Sequence, residues 1–330
     1  MENLLEVRGL ETVFDTWSGM VRAVRGVDLA VRPGESIGIV GESGCGKSVT
    51  MLSILGLLDD IGKVVKGEVI FDGKPIHTAS EKELQGIRGR HIGMIFQDPM
   101  TSLNPVYTVG DQLTEHLYVH RKIGRKDAWA KAREALGEVG IPEPEARLKQ
   151  YPHEFSGGMR QRVMIAMALI TGPKLLIADE PTTALDVTIQ AQIMELLQRL
   201  RKNHGTAVIL ITHDLGVVAD FCERVYVMYG GKIIEHAPVR DLYYRTSHPY
   251  TQGLLGSVPN PETLADHELT PIPGQPPDLL HPPAGCPFVD RCPQAMKLCA
   301  GTMPPAFTVD QGHDVACWLH HPQIAREAVR

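Results

Sequence analysis

The stretch that decides the fold is Gly41-Glu42-Ser43-Gly44-Cys45-Gly46-Lys47-Ser48, which matches the pattern G-x-x-x-x-G-K-[ST]. Residues 35–40 before it predict a short buried strand, and residues 49–58 after it predict an apolar helix. The glycines let backbone N–H groups converge on phosphate oxygens, and the helix N-terminus adds the positive end of its dipole. We therefore expect a nucleotide here, with Lys47 at the β- and γ-phosphates and Ser48 on Mg²⁺.

Bulk composition limits the class of protein. The 330 residues are 43% hydrophobic and 22% charged, as in an ordinary globular chain with a substantial core. The net charge of −6 argues against a general nucleic-acid binder. Because the first residues carry no signal peptide and no apolar run reaches the ~18 residues of a membrane span, we expect a protein that meets a membrane only as a peripheral partner.

The first forty residues alternate apolar and polar side chains, which predicts strands. Between two of them, residues 14–20 form an expected loop that carries Phe14 and Trp17, either of which is a candidate to stack on a nucleotide base. Further hairpins are predicted at the dipeptides Asp72-Gly73 and Gly230-Gly231.

Polar side chains follow three short apolar strands, at Gln97, at Asp179 with Glu180, and at His213. In an open parallel sheet, ligands bind at the carboxyl ends of the strands. We expect Asp179 to hold Mg²⁺ and Glu180 to polarise the attacking water, while His213 and Gln97 approach the γ-phosphate from other directions.

A second anion site is predicted at Ser156-Gly157-Gly158. Ser156 is a good helix N-cap, and the glycines expose backbone amides at a helix start. Because over a hundred residues separate this motif from the phosphate loop, one chain does not easily aim both at one nucleotide. Two chains facing each other head to tail would do so, each supplying its motif to the other's ATP.

These residues together resemble the ATP-binding subunits of ABC transporters, over residues 1–255. The resemblance implies an α/β fold of the P-loop NTPase (ABC ATPase) type, with an N-terminal antiparallel β subdomain and a helical insertion at about residues 98–170. We expect a nucleotide-binding domain at 1–257, a proline-rich strap with little regular structure at 258–285, and a small cysteine-rich module at 286–330.

The family's motifs assign the site residues. The resemblance implies ATP contacts from an aromatic A-loop residue and the Walker A segment, here Phe14, Gly41, Glu42, Ser43, Gly44, Cys45, Gly46, Lys47, Ser48 and Val49. It also implies that Glu180, His213 and Gln97 are catalytic and that Ser48, Gln97 and Asp179 hold Mg²⁺. The signature motif for the partner's ATP is Ser156, Gly157, Gly158 and Met159, and Asp186 belongs to the D-loop at residues 184–186.

A closer resemblance links the chain to the D-type ATPases of bacterial dipeptide and oligopeptide importers. It rests on segments 96–105, 162–168, 178–190 and 248–252. It implies a heterodimer with an F-type ATPase beneath two permease subunits, fed by an extracytoplasmic peptide-binding protein, at the cytoplasmic face of the cell membrane. The signature ends in Met159 where the wider family has glutamine, which leaves open whether both ATP sites of the dimer are equally active.

The tail crowds four of the six cysteines into the spacing C-x5-C-x6-C-x17-C, at Cys286, Cys292, Cys299 and Cys317. The tail resembles the oligopeptide-transporter C-terminal region of the same family, which can hold a [4Fe-4S] cluster in members with these cysteines, so the resemblance implies such a cluster here. Structural zinc usually shows C-x2-4-C pairs, and these spacings match no ferredoxin run either. Zinc and free packing thiols therefore remain alternatives.

Three rival functions stay open from the sequence. The same ATPase pattern serves importers of nickel or other small solutes. A soluble ABC protein that acts on ribosomes or DNA would carry two cassettes or a long coiled-coil insertion, which this chain lacks. A redox sensor would use the tail cluster to gate ATP hydrolysis.

Overall fold

The computed structural model describes residues 2–98, 102–183, 185–257 and 271–327. Contacts within the chain divide it into two compact units. The first unit comprises residues 1–4, 31–36 and 78–211. The second unit comprises residues 5–30, 37–77 and 212–330.

The secondary structure follows the expected alternation of strands and helices. In chain order the described strands are β1 (Leu5–Thr16), β2 (Gly19–Val31), β3 (Ser36–Val40), β4 (Gly62–Phe71), β5 (Lys74–Pro75), β6 (Ile92–Ile95), β7 (Leu175–Asp179), β8 (Ala207–Ile211), β9 (Arg224–Tyr229), β10 (Lys232–Pro238), β11 (Phe307–Asp310) and β12 (His313–Val315). The described α-helices are α1 (Lys47–Leu55), α2 (Glu81–Ile87), α3 (Val109–Arg121), α4 (Arg125–Glu138), α5 (Pro144–Arg147), α6 (Gly157–Leu169), α7 (Val187–His204), α8 (Leu215–Phe221), α9 (Val239–Tyr244), α10 (Pro249–Gly256), α11 (Lys297–Gly301) and α12 (Pro322–Glu327). Short 3-10 turns lie at Pro152–Glu154, Val289–Arg291 and Trp318–His320.

The first unit contains three parallel strands, β6, β7 and β8, with β7 in the middle. All five residues of β7 and of β8 are buried, as expected for strands of a parallel sheet. Helices α3 to α6 occupy the sequence between β6 and β7, where the sequence predicted a helical insertion. Helix α7 buries its apolar stripe through Ile193, Leu196, Leu197 and Leu200, at the spacing of one helix face.

The second unit holds an antiparallel sheet in the order β2-β1-β4-β5 and a group of strands in the order β11-β12-β10-β9-β3. Within that group β3 and β9 are parallel, and the other pairs are antiparallel. Both predicted hairpin turns are present. Asp72 and Gly73 have φ angles of 51° and 73°, and Gly230 and Gly231 have 54° and 78°, as a two-residue turn with both central residues left-handed requires.

The loop expected at residues 14–20 is a strand end and a tight turn instead. Strand β1 continues through Phe14 to Thr16 because it stays paired with β4, where Val13 lies opposite Lys63 and Phe14 opposite Gly62. Strand β2 resumes at Gly19, so Trp17 stands at the tip of a hairpin and is fully exposed.

The prediction of a separate cysteine-rich module is not supported. Strand β12 pairs with β10, with Val315 opposite Glu235, and β11 pairs with β12, so the tail adds two strands to the sheet of the second unit. The Ala316 N–H also donates to the Ile234 carbonyl, so the tail is joined to β10 by backbone hydrogen bonds that the cysteine spacing could not reveal. Of the predicted strap, residues 258–270 lie outside the described residues, and residues 271–285 form no helix or strand.

None of the helices in the described ranges is both long and apolar enough to cross a bilayer.

Candidate functional site

The phosphate-loop segment lies between the buried strand β3 and helix α1, as its sequence predicted. Two of its glycines cannot be replaced. A Cβ on Gly41 would lie 2.1 Å from the carbonyl oxygen of Met228, and one on Gly46 would lie 2.5 Å from that of Ala23. Both glycines also have positive φ angles, 153° and 103°. The backbone therefore packs against two neighbouring strands at a distance that only glycine allows.

Lys47 is the buried charge of this loop. Its side chain is at the first position of α1 and the residue is only 6% exposed. Its Nζ donates hydrogen bonds to the carbonyl oxygens of Gly41 at 2.8 Å and Glu42 at 3.0 Å. A buried ammonium held by backbone carbonyls at a helix N-terminus gives the loop a strong positive potential, which suits phosphate.

The other loop residues differ in exposure. Ser43 and Gly44 are exposed, whereas Cys45 is buried, and Ser48 and Val49 are half-buried in the first turn of α1. Burial raises the pKa of the Cys45 thiol, so this cysteine is a neutral filler in the loop.

The structure brings Glu180 and Gln97 together within the first unit. Asp179 is buried at the end of β7, and Glu180 follows it with a φ of 46°. The Glu180 carboxylate accepts hydrogen bonds from Gln97 Nε2 at 2.9 Å and from Thr183 Oγ1 at 2.8 Å. The carboxylate predicted to polarise water is thus oriented by an amide and a hydroxyl.

Thr183 was not singled out from the sequence. Its only signal is its position three residues after Glu180, a spacing at which a hydroxyl in a turn reaches back to the earlier residue. The backbone supports this turn, since the Glu180 N–H donates to the carbonyl of Ile211 and the Thr183 N–H to the carbonyl of Glu180.

The predicted signature segment begins a helix. Ser156 is the N-cap of α6, and its Oγ accepts a hydrogen bond from the Met159 N–H at 3.3 Å. Ser156 and Gly157 are exposed, and Gly158 is half-buried. A Cβ on Gly158 would lie 3.1 Å from the Ile189 side chain, so the helix start also lies close to α7. The helix N-terminus thus carries two exposed residues, Ser156 and Gly157.

Asp186 caps α7, since its carboxylate accepts a hydrogen bond from the Ile189 N–H at 3.0 Å. Ala184 of the same predicted D-loop lies outside the described residues. This cap is a sufficient structural reason for an aspartate here.

His213 is exposed and belongs to the second unit. It lies in a polar turn in which Thr212 Oγ1 accepts from the Asp214 N–H at 3.0 Å, and Asp214 in turn caps α8. The turn therefore fixes the backbone on either side of His213.

Phe14, the predicted base-stacking residue, is half-buried at the end of β1. Its ring lies beside Gly62, where an added Cβ would come within 2.9 Å of it. The neighbouring candidate Trp17 is fully exposed.

The four tail cysteines line one small cavity together with His248 and Trp318. Burial raises the pKa of Cys286 to about 11 and of Cys317 to about 12. Among the residues that the structure describes, however, no group of three or more His, Cys, Asp or Glu side chains is arranged to hold a metal ion. The iron–sulfur prediction is therefore not supported: the thiols reach one cavity, but in this arrangement they form no ligand set.

The structure also places two residues beside the loop that sequence analysis did not connect with it. The Tyr250 hydroxyl accepts a hydrogen bond from the Glu42 N–H at 2.9 Å. Arg291 Nη1 lies 2.7 Å from Glu42 Oε2. No sequence pattern relates positions separated by more than two hundred residues.

Two stretches of the chain match known protein families. Residues 24–183 match the family described as ABC transporter, and residues 234–299 match the oligopeptide/dipeptide transporter C-terminal region. The second match begins in β10, well before the first tail cysteine.

Similar proteins cover nearly the whole chain. The dipeptide transport ATP-binding protein DppD of Bacillus subtilis is 55% identical, over 100% of this chain and 98% of its own length. The oligopeptide transport ATP-binding protein OppD of Salmonella typhimurium is 51% identical, over 96% of this chain and 93% of its own. Among solved structures, the dimeric post-hydrolysis state of the ATP-binding cassette MJ0796 bound to ADP and Pi shares 32% identity with a TM-score of 0.64, covering 72% of this chain and 99% of that one.

Proposed function

We propose, since this chain belongs to the ABC transporter ATP-binding proteins of the dipeptide and oligopeptide type, that it binds ATP and Mg²⁺ at the loop of residues 41–48 and drives peptide import across the cytoplasmic membrane. ATP-binding subunits of this type hydrolyse ATP to power transport, and this chain is such an enzyme. The observation that carries the site assignment is the glycine loop whose buried Lys47 stands at the start of α1.

In this proposal the loop amides and Lys47 hold the phosphates, and Phe14 stacks on the base. The Ser48 hydroxyl, the Asp179 carboxylate and the Gln97 amide are oxygen donors of the kind that Mg²⁺ prefers. When bound, Mg²⁺ neutralises charge on the phosphate oxygens.

Glu180 is the residue proposed to polarise the attacking water, with His213 as a hydrogen-bond donor to the γ-phosphate. Support comes from the hydrogen bonds that Gln97 and Thr183 donate to Glu180, because they fix the carboxylate before any water arrives.

The proposed unit of function is a dimer of ATPases. Support comes from the exposed N-terminus of α6, whose Ser156, Gly157 and Gly158 offer amides to an anion outside the chain. We propose an F-type ATPase as the partner, with each chain's signature segment completing the other's ATP site.

The wider assembly comprises two permease subunits and an extracytoplasmic peptide-binding protein, with the ATPases held peripherally at the cytoplasmic face of the membrane. Support comes from relatives named for dipeptide and oligopeptide transport and from the matching C-terminal region.

The deciding experiment is co-purification of the chain with its proposed permease and F-type subunits, followed by ATPase assay in liposomes. We expect di- or oligopeptide with the binding protein to stimulate hydrolysis several-fold, and Lys47→Ala to abolish the stimulation. Stimulation by nickel or another small solute, with none by peptide, would replace the proposed substrate. Peptide-stimulated hydrolysis that persists without any permease partner would contradict the transport role.

A [4Fe-4S] cluster held by the four tail cysteines is the remaining part of the proposal. What supports it is that the four thiols line one cavity. Among the described residues these side chains are not arranged to hold a metal ion, so we propose a structural rather than a catalytic role for the cluster.

Anaerobic purification tests the cluster. We expect brown protein with absorbance near ~400 nm, lost when Cys292 and Cys299 are both changed to serine and kept in Cys222→Ser, a buried cysteine outside the tail. Colourless protein with stoichiometric zinc would show that the cysteines bind zinc instead of a cluster. Metal-free protein would show that they are packing thiols.

A further inference from the structure

The C-terminal region holds one residue of the phosphate loop from two sides. Glu42 donates its backbone N–H to the Tyr250 hydroxyl at 2.9 Å, and its carboxylate receives Arg291 Nη1 at 2.7 Å. All three residues belong to the second unit. We propose that Arg291 is a positioning residue for nucleotide binding, acting through Glu42 on the loop that holds Lys47. This inference rests on the proposed function of that loop as the ATP site.

Arg291 is rigidly placed. It is 8% exposed, and its guanidinium also donates to the Tyr229 hydroxyl at 3.0 Å, to the Pro273 carbonyl at 2.8 Å and to the Ile272 carbonyl at 3.1 Å. A planar guanidinium suits such a set of acceptors, because its donors are fixed in one fork. The guanidinium of Arg291 is therefore held against the Glu42 carboxylate in a single orientation.

An aromatic cluster surrounds this contact. The ring centroids of Tyr229 and Tyr250 are 4.4 Å apart, and Phe288 lies 5.3 Å from each of them. The Arg291 guanidinium carbon lies 5.7 Å from the centroid of Tyr229 and 5.9 Å from that of Phe288. These rings hold the arginine by packing and by cation–π attraction, and they keep the Tyr250 hydroxyl at the loop.

Glu42 connects Arg291 to Lys47, the lysine proposed to bind phosphate. Lys47 Nζ donates to the carbonyl oxygens of Gly41 and Glu42, so the residue that Arg291 holds also holds Lys47. Fixing Glu42 before nucleotide arrives removes part of the ordering cost of binding. Its loss should therefore weaken nucleotide affinity more than it slows the chemical step.

A purely structural ion pair is the competing explanation, and a buried pair of this kind costs stability when one partner is removed. The two explanations differ in what the variants change. A structural pair lowers the melting temperature and leaves the nucleotide affinity of the folded protein intact. A positioning pair changes that affinity, and its two members act as one unit.

The test measures Mg-ATP affinity by equilibrium binding of a fluorescent ATP analogue to the full chain, together with KM, kcat and melting temperature. We expect Arg291→Met and Glu42→Gln each to weaken binding about tenfold, with KM rising more than kcat falls. The double variant should be no weaker than either single one. Arg291→Lys should recover part of the affinity, because it keeps the charge but loses the fork.

The matched control is Arg245→Met. Arg245 lies in the same C-terminal region and pairs with Asp310 at 2.9 Å, but both side chains are largely exposed and neither touches the loop. Wild-type affinity is expected for this variant.

Unchanged affinity in folded Arg291→Met, or additive losses in the double variant, would overturn the proposal. If Arg291→Met does not fold, Arg291→Lys and Tyr250→Phe decide, because the second removes only the hydroxyl that accepts the Glu42 N–H; wild-type affinity in both would also refute it. Failure of the ATP site itself is distinguishable: then the wild type does not bind, or Lys47→Ala binds as well as the wild type.

Discussion

At the scale of single residues, Glu180 combines an unusual backbone conformation with a proposed chemical role. Its φ of 46° lies in the left-handed region, which costs a residue with a side chain of order 1–3 kcal/mol. This cost is offset by the hydrogen bond from the Glu180 N–H to the Ile211 carbonyl and by the two hydrogen bonds that side chains donate to the Glu180 carboxylate. Such strain is typical of a functional position, where it aims a side chain.

Replacing Glu180 with glutamine should separate ATP binding from hydrolysis. The amide keeps the size of the side chain but no longer polarises water, so we expect ATP binding to persist while turnover falls at least ~100-fold and the closed dimer accumulates. The measurement is single-turnover hydrolysis, with gel filtration in ATP, in a complex whose partner site is also disabled. Substantial hydrolysis remaining at this site would refute the role of Glu180.

His248 is a second residue with a consequence of its own. Its side chain is 1% exposed and its Nδ1 accepts a hydrogen bond from the Tyr250 N–H, capping α10. Burial lowers the pKa of His248 to about 4, against a smaller opposing effect of Glu235, while His320 lowers it further. The folded state therefore holds this imidazole neutral.

The sign of the pH dependence follows. Between pH 6.5 and about 4, His248 is protonated in the unfolded chain but stays neutral in the folded one. Its contribution to the free energy of unfolding is therefore complete above pH 6.5 and is lost as the pH falls toward 4. We expect about 2 kcal/mol of stability to be lost at pH 5 from this group. His248→Asn, which can keep the helix cap, should reduce the loss between pH 7 and 5 in urea unfolding; an identical loss in both proteins would contradict this assignment.

At the scale of elements, helix α6 begins where two requirements meet. Ser156 satisfies the Met159 N–H as a helix cap, and the same exposed N-terminus is the proposed anion site for a partner's ATP. The first requirement belongs to folding, and any good capping residue meets it. The second needs a side chain without negative charge, because phosphate must approach.

Two substitutions at Ser156 should separate these requirements. Ser156→Ala removes the cap and should cost about 1 kcal/mol of stability. Ser156→Asp keeps the cap and should retain the wild-type melting temperature, yet its charge repels phosphate and should lower hydrolysis by the assembled complex more than ~10-fold. Thermal melting and ATPase activity are the two measurements. An active Ser156→Asp complex would remove the signature role.

At the scale of the whole molecule, the tail is part of the second unit's fold. Strand β12 covers the edge of β10, and His313 Nε2 lies 2.8 Å from the fully buried carboxylate of Glu235. Glu235 also accepts hydrogen bonds from the Ser247 and His248 N–H groups. Burial alone would raise the pKa of Glu235, but these hydrogen bonds, led by His313, lower it overall.

Removing the tail should therefore damage the domain that remains. A chain ended after residue 285 leaves β10 as an open edge and the buried Glu235 without His313, so we expect its melting temperature to fall by about 10 °C. A chain ended after residue 321, which keeps β12 and His313, is the control and should melt as the full chain does. Equal melting temperatures for all three chains would contradict the integration of the tail.

The sequence by itself determined the local elements of the site. The glycine loop, the strand before it, the helix after it and the cap at Ser156 follow from short-range rules, because a turn, a cap or a strand is specified by residues a few positions apart. The buried strand that ends at Asp179 was predictable for the same reason.

Only the tertiary structure decided which distant residues meet. The contact of Gln97 with Glu180, the extension of the sheet by β11 and β12, and the hold of Tyr250 and Arg291 on Glu42 all join positions far apart in the chain. Such contacts are set by how elements pack and hydrogen-bond, and no periodicity encodes them. The phosphate loop was therefore predictable from its own eight residues, whereas its contacts with the C-terminal region could be found only in the folded structure.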